Sequence, residues 1–161
     1  MEIFVIRHAK AEERDPEAWP DDAERPLTRD GAREFERVAR QLGRWRGSVD
    51  MLLSSGHVRA WDTARIVRAK AGWPKPVRTK LLEAEGAGAA AAAVAFLSEQ
   101  PADARIALVG HEPMLGEVVA SLCGGGGALR LEFRKGAVAW LRGEPGAMAL
   151  AGLLVPGMVR R

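Results

Sequence analysis

Apolar positions come in two kinds of run along the chain. Ile3-Phe4-Val5-Ile6 and Ile106-Ala107-Leu108-Val109 are unbroken blocks of four, the pattern of short strands covered on both faces. Met51-Leu52-Leu53 is a shorter block of the same kind, and Val77 to Thr79 is a weaker one. Between them the spacing changes to three and four. Phe35, Val38, Ala39, Leu42 and Trp45 form a stripe in an otherwise Arg- and Glu-rich stretch that opens at Thr28, a good N-cap, and closes at Gly47. His57 to Ala71 reads as a second helix, with Val58, Trp61, Ile66 and Val67 as its core positions and Gly72 and Pro74 beyond its end.

Gly86 to Ser98 is an Ala-rich third helix stopped before Pro101. Pro113 suits the first turn of a fourth, Met114 to Leu122. Ala137 to Leu141 and Met148 to Val155 are strands joined by a turn containing Gly143, Pro145 and Gly146, a connection short enough to make them antiparallel to each other. Strands alternating with helices predict an α/β sheet covered on both faces, and the final hairpin makes that sheet mixed. Two segments stay irregular: the charged, Pro-containing stretch Ala11 to Leu27, and the flexible tetraglycine Gly124 to Gly127, which is too short to separate domains. The 161 residues are therefore expected to form one domain.

Composition narrows the class. The longest apolar run, Ala87 to Leu97, is about half what a membrane span requires. Cys123 is the only cysteine, so no internal disulfide can form, and a small buried hydrophobe is its expected role. With no leader-like pattern ahead of the first strand, a cytoplasmic protein is expected. Lys and Arg number 24 against 21 Asp and Glu, a net charge of +3 carried mainly by arginine. This balance favours an anionic partner. The basic residues are dispersed, no nucleic-acid motif is present and tyrosine is absent, so a phosphorylated ligand fits better than nucleic acid.

The candidate chemistry lies where strands end. Arg7 and His8 follow the first strand, with Lys10 close behind; Arg59 lies in the first turn of the helix after the second; His111 follows the strand ending at Val109 and precedes a helix. In a parallel sheet these ends share one edge, where open α/β folds bind ligands. Two arginines, two histidines and helix N-termini make a cage for a dianionic phosphoryl group. A histidine inside it can act as nucleophile once a neighbour fixes its tautomer. Metal is not expected, because His8, His57 and His111 show no ligand spacing and arginine beside His8 repels a cation. No cofactor is implied, and no glycine-rich stretch runs into Lys-Ser or Lys-Thr as a P-loop does.

Assembled in order, Arg7-His8-Ala9-Lys10-Ala11, Arg25-Pro26-Leu27-Thr28 with Gly31, Ser54-Ser55 with Arg59-Ala60 and Thr63-Ala64, and Val109-Gly110-His111-Glu112-Pro113 resemble the histidine phosphatase superfamily, in particular its small SixA-type phosphohistidine phosphatases. The resemblance implies a phosphoglycerate mutase-like three-layer α/β/α sandwich with a mixed, mostly parallel six-stranded sheet. It implies His8 as the transiently phosphorylated nucleophile, with Arg7, Arg59 and His111 on the phosphoryl oxygens and Arg25 helping to line the pocket. The general acid used by many relatives has its nearest match in Glu83, with Glu85 next. Ala9 and Gly56 depart from the glycine and proline common in the wider superfamily. The expected partner is a phosphorylated protein or small phosphorylated substrate. His57 is expected at the mouth as a surface residue.

Overall fold

A computed structural model describes residues 1–83, 88–125, 129 and 131–158. Six strands, β1 (Glu2–Arg7), β2 (Met51–Ser54), β3 (Val77–Arg78), β4 (Arg105–Gly110), β5 (Val138–Arg142) and β6 (Ala149–Leu154), form one sheet in the order β3-β2-β4-β1-β5-β6. The first four strands in that order are parallel. β5 is antiparallel to both β1 and β6, so the sheet is mixed as expected.

The blocky strands are buried on both sides because helices cover both faces. Ile3, Val5, Ile106 and Leu108 point into one core with α3 (Ala89–Ser98) and α4 (Met114–Leu122). Their neighbours Phe4, Ile6, Ala107 and Val109 point into the other with α1 (Arg29–Arg46) and α2 (Val58–Ala71). This is strict two-residue alternation read across a three-layer sandwich. Among the described residues no helix is long and apolar enough to cross a membrane.

Three helical assignments need correction. Trp45 is 45% exposed; it lies past the α1 stripe that ends at Leu42 and packs edge-on against Trp140 with the Arg46 guanidinium beside it. On α2 the buried face is Arg59, Ala60, Thr63, Ala64 and Val67, whereas Val58, Trp61 and Ile66 are only partly covered. Apart from Arg59 and Val67 this face is built of small side chains because α2 packs closely against both α1 and the sheet, and larger apolar ones are displaced to its flanks. Cys123 is half-buried at the end of α4, where its N–H closes on Val119 and Ser121 carbonyls. The start of the third predicted helix, Gly86 and Ala87, lies outside the described residues, as do Gly126 and Gly127 of the tetraglycine.

The segment after β1 is less irregular than its composition suggests. Ala11 bridges Leu27, and Asp22–Glu24 form a single 3-10 turn capped by the Asp21 carboxylate. Thr28 caps α1 as expected, its Oγ1 accepting the Gly31 N–H at 2.9 Å. A Cβ on Gly31 would stand 2.2 Å from the Lys10 carbonyl oxygen, so glycine is what lets the helix start press against the chain leaving His8.

Candidate active site

β1, β2 and β4 end side by side, and their exits bring Arg7, His8, Ser55, Arg59 and His111 together. The His8 and His111 rings lie 5.1 Å apart between centroids, and His57 continues the row 4.8 Å beyond His111. His57 is thus part of the site wall rather than a plain surface residue. Only its neighbours in space reveal this, since nothing in its spacing marks it.

The hydrogen bonds assign tautomers. His8 Nδ1 lies 2.7 Å from the Ala9 carbonyl oxygen. A carbonyl can only accept, so Nδ1 carries the proton and Nε2 presents a lone pair. Ala9 is itself held, its N–H donating to Thr63 Oγ1 at 3.0 Å while the Thr63 hydroxyl donates to the Arg59 carbonyl. One buried threonine therefore ties the His8 turn to the first turns of α2. Ser55 Oγ accepts the His57 N–H and lies 2.9 Å from His111 Nε2. When the serine hydroxyl donates to Nε2, His111 Nδ1 carries the proton; Nδ1 is buried with no partner among the described residues. An oxyanion in the cage would satisfy it.

Burial pulls His8 down to about 4, with the charges of Arg59, Arg7 and Lys135 adding to the fall and the bond to Ala9 opposing it. Burial likewise takes His111 to about 3, followed by the fields of His8, Arg59 and His57. Both imidazoles are neutral at neutral pH. One can act as a nucleophile and the other as a neutral donor.

The two arginines are anchored differently. Arg7 Nη1 donates to the Phe133 carbonyl at 2.6 Å, and its buried Nε has no partner among the described residues. Arg59 Nη1 donates to the Asp22 carbonyl at 2.6 Å and Nη2 pairs with the Asp22 carboxylate at 2.9 Å. Nη2 also lies 3.3 Å from His57 Nδ1. Asp22 in turn pairs with Arg25 at 2.9 Å, and Arg25 also reaches the Glu12 carbonyl. Those contacts set Arg25 behind Arg59: it holds the carboxylate that holds the cage arginine. Sequence reasoning missed Asp22, one acidic residue in a stretch full of them, whose partner is 37 residues away.

Glu83 arrives at the same turn from beyond β3. Its Oε1 accepts the Gly56 N–H at 2.7 Å, and a Cβ on Gly56 would stand 2.4 Å from that oxygen. Gly56 thus supplies both the space and the N–H that a proline would remove. Glu85 lies outside the described residues. A further carboxyl, Glu112, folds over the first turn of α4 to accept the Gly116 N–H at 3.3 Å. Burial raises its pKa. The fourth wall is the segment Phe133–Ala137. Besides the Phe133 carbonyl on Arg7, the Arg7 N–H donates to the Ala137 carbonyl, and the Gly136 N–H is shared by the Arg7 and His8 carbonyls at 3.2 and 2.9 Å.

A neutral imidazole with an available Nε2, beside two guanidiniums and a second neutral histidine, has the chemistry to accept a phosphoryl group. A sequence model of the histidine phosphatase superfamily (branch 1) matches residues 3–87. The chain belongs to that superfamily. It is 32% identical over 142 residues to an uncharacterized protein of Picosynechococcus, covering 88% of this chain and 85% of that protein. Its fold is similar to that of the protein histidine phosphatase SixA complexed with tungstate, at 24% identity and a TM-score of 0.86, covering 99% of this chain and 100% of that one. It is also similar to a phosphoserine phosphatase from Entamoeba histolytica in complex with 3-phosphoglyceric acid, at 15% identity and a TM-score of 0.64, covering 94% and 95%.

Proposed function

We propose that this phosphatase is metal-independent, works through a phosphohistidine at His8 and takes phosphohistidine in protein as its substrate. The observation that carries the reading is the His8 tautomer: Nδ1–H is spent on the Ala9 carbonyl, so Nε2 is the atom left for phosphorus. In the first half-reaction the Nε2 lone pair forms a P–N bond while the bond from phosphorus to the substrate imidazole breaks, and the departing ring takes up a proton. Water then attacks phosphorus, the P–Nε2 bond breaks, and inorganic phosphate leaves with His8 restored. Arg7 and Arg59 offset charge on the equatorial oxygens and His111 Nδ1–H donates to one of them, the electrostatic stabilisation that phosphoryl transfer chiefly needs. The cage is cationic, which suits an anion and repels a metal ion.

Glu83 is the proposed proton donor to the leaving group. An imidazole departs more readily than an alkoxide, so a protein-borne phosphoramidate demands less of that donor than an ester does. An open site supports the same substrate: β2 passes into α2 after Ser54 with only three residues between, and β4 into α4 after Gly110 likewise, leaving no inserted lid at either junction. Likeness in fold to a protein histidine phosphatase also favours it, and likeness in fold to a phosphoserine phosphatase supports a small phosphate ester as the alternative.

Brief exposure to a radiolabelled phosphoryl donor should leave acid-labile label that peptide mapping places on His8 and that His8→Ala abolishes. Label on His57 or His111, or none with turnover intact, overturns the nucleophile assignment. Rates on a phosphohistidine protein should exceed those on simple phosphomonoesters; equal or better ester rates overturn the substrate.

A further inference from the structure

The segment Phe133–Ala137 is built into the site more firmly than an anchor for Arg7 requires. Phe133, Gly136 and Ala137 are buried, and Ala137 N–H closes the turn on the Arg134 carbonyl at 2.9 Å. Gly136 has φ +77°, and a Cβ there would stand 2.9 Å from Pro156 Cγ and 3.4 Å from the Phe35 ring. Only glycine fits, so the turn is held in one shape. Arg134 and Lys135 are the two residues it presents to solvent. Arg134 is paired with Glu132 at 3.0 Å, whereas among the described residues no carboxylate lies within ion-pair distance of Lys135.

Lys135 is therefore an uncompensated cation, one residue from the N–H that binds the His8 carbonyl, on a turn with little freedom. Its charge is felt at His8, after those of Arg59 and Arg7. Arg7, Arg59 and His111 gather around His8 itself, whereas Lys135 stands exposed on the turn whose Gly136 N–H binds the His8 carbonyl. Asp22, Glu83 and Glu112 belong to the β4-β2-β3 side or contact it, while Lys135 precedes β5 on the opposite side of β1, in a cavity it shares with Glu34, Glu132 and Arg134.

We propose that Lys135 is a specificity-determining residue that binds a second anionic group, a carboxylate close to the phosphoryl group on the substrate. This rests on the phosphatase reading of His8 and names a feature its substrate must carry. In a phosphoprotein the carboxylate is an acidic side chain flanking the phosphohistidine; in a small molecule it is part of the leaving group. An ammonium on a fixed turn recognises such a group by charge at short range, and recognition of this kind appears as a ratio between substrates.

The test compares kcat/KM for phenyl phosphate and its meta-carboxylated analogue, and for two phosphohistidine peptides with Glu or Gln beside the phosphorylated residue. Wild type is expected to prefer the carboxylated member in at least one pair by about fivefold or more, the pair identifying the source of the anion. Lys135→Ala should erase that preference, Lys135→Glu should invert it, and Lys135→Arg should keep it. Arg134→Ala, at a residue already paired, should leave the ratio in place. No preference in wild type, a preference that survives Lys135→Glu, or an equal loss in Arg134→Ala overturns the inference while turnover continues. Absence of turnover on all four compounds, with no label on His8, overturns the phosphatase reading and this inference with it.

Discussion

The charges of Arg7 and Arg59 both reach His8, yet the two arginines are held by different chemistry. Arg7 is aimed by a neutral carbonyl, that of Phe133, and makes no ion pair among the described residues, although the field of the Glu112 carboxylate reaches it. Arg59 is aimed by the Asp22 carbonyl and also paired with the Asp22 carboxylate, so part of its charge is already answered. A carbonyl anchor orients a cation without competing for it. A carboxylate anchor orients more strongly, and it also stands in for the oxyanion before substrate arrives.

The largest effects come from removing either guanidinium. Arg7→Ala and Arg59→Ala should each lower kcat by about 10²- to 10³-fold, the usual loss of a transition-state oxyanion partner. A loss below about tenfold in either, measured at saturating substrate, would remove that arginine from the cage. The next test reads both through His8. Because Arg59 depresses the imidazole more than Arg7 does, Arg59→Gln should raise the His8 pKa from about 4 further than Arg7→Gln, as followed by NMR titration. The reverse order would break the comparison.

The same depression has a cost in stability. The unfolded chain binds a proton at His8 near its ordinary value while the folded chain does not until about pH 4. Stability should therefore fall as pH drops through that window, by about 1.4 kcal/mol per unit from this residue, and His8→Asn should flatten the slope in urea melts between pH 6 and pH 4. An unchanged slope would show that His8 is not buried neutral.

A smaller effect separates the anchors themselves. Asp22→Asn keeps the carbonyl contact to Arg59 and removes the competing charge, so inhibition by inorganic phosphate should strengthen by about threefold while kcat declines; Asp22 is partly exposed, which limits the gain. Weaker phosphate inhibition would make Asp22 an organiser only. A change of similar size is expected at Gly56→Ala, where the new Cβ displaces the Glu83 carboxylate. Turnover of alkyl phosphates should fall by several-fold more than that of aryl phosphates with good leaving groups. Equal effects on both would remove Glu83 as proton donor.

The main arrangement was legible because it rests on short-range signals. Unbroken apolar blocks located β1 and β4, and the residues at their ends, Arg7, His8 and His111, met at one edge because parallel strands leave them no alternative. Arg59 was found for the same reason. What stayed hidden depends on contacts between distant segments. Nothing in the charged stretch from Ala11 to Leu27 singles out Asp22. Phe133 acts through a backbone carbonyl, which carries no residue identity, and Thr63 through a hydroxyl on the buried face of a helix. Trp45 and Ile66 were misjudged because periodicity locates a stripe but not its end or the depth of its flanks.

β5 is the one strand that runs against β1, and that reversal brings the chain entering it to the edge where the parallel strands leave. The Phe133–Ala137 wall is thereby coded by a segment more than 120 residues downstream of Arg7, physically attached to it and informationally separate. Such a wall can change its exposed residues without disturbing the Arg7, His8, Arg59 and His111 constellation. If Lys135 selects the substrate as proposed, a designer seeking a new one would begin at that single exposed position.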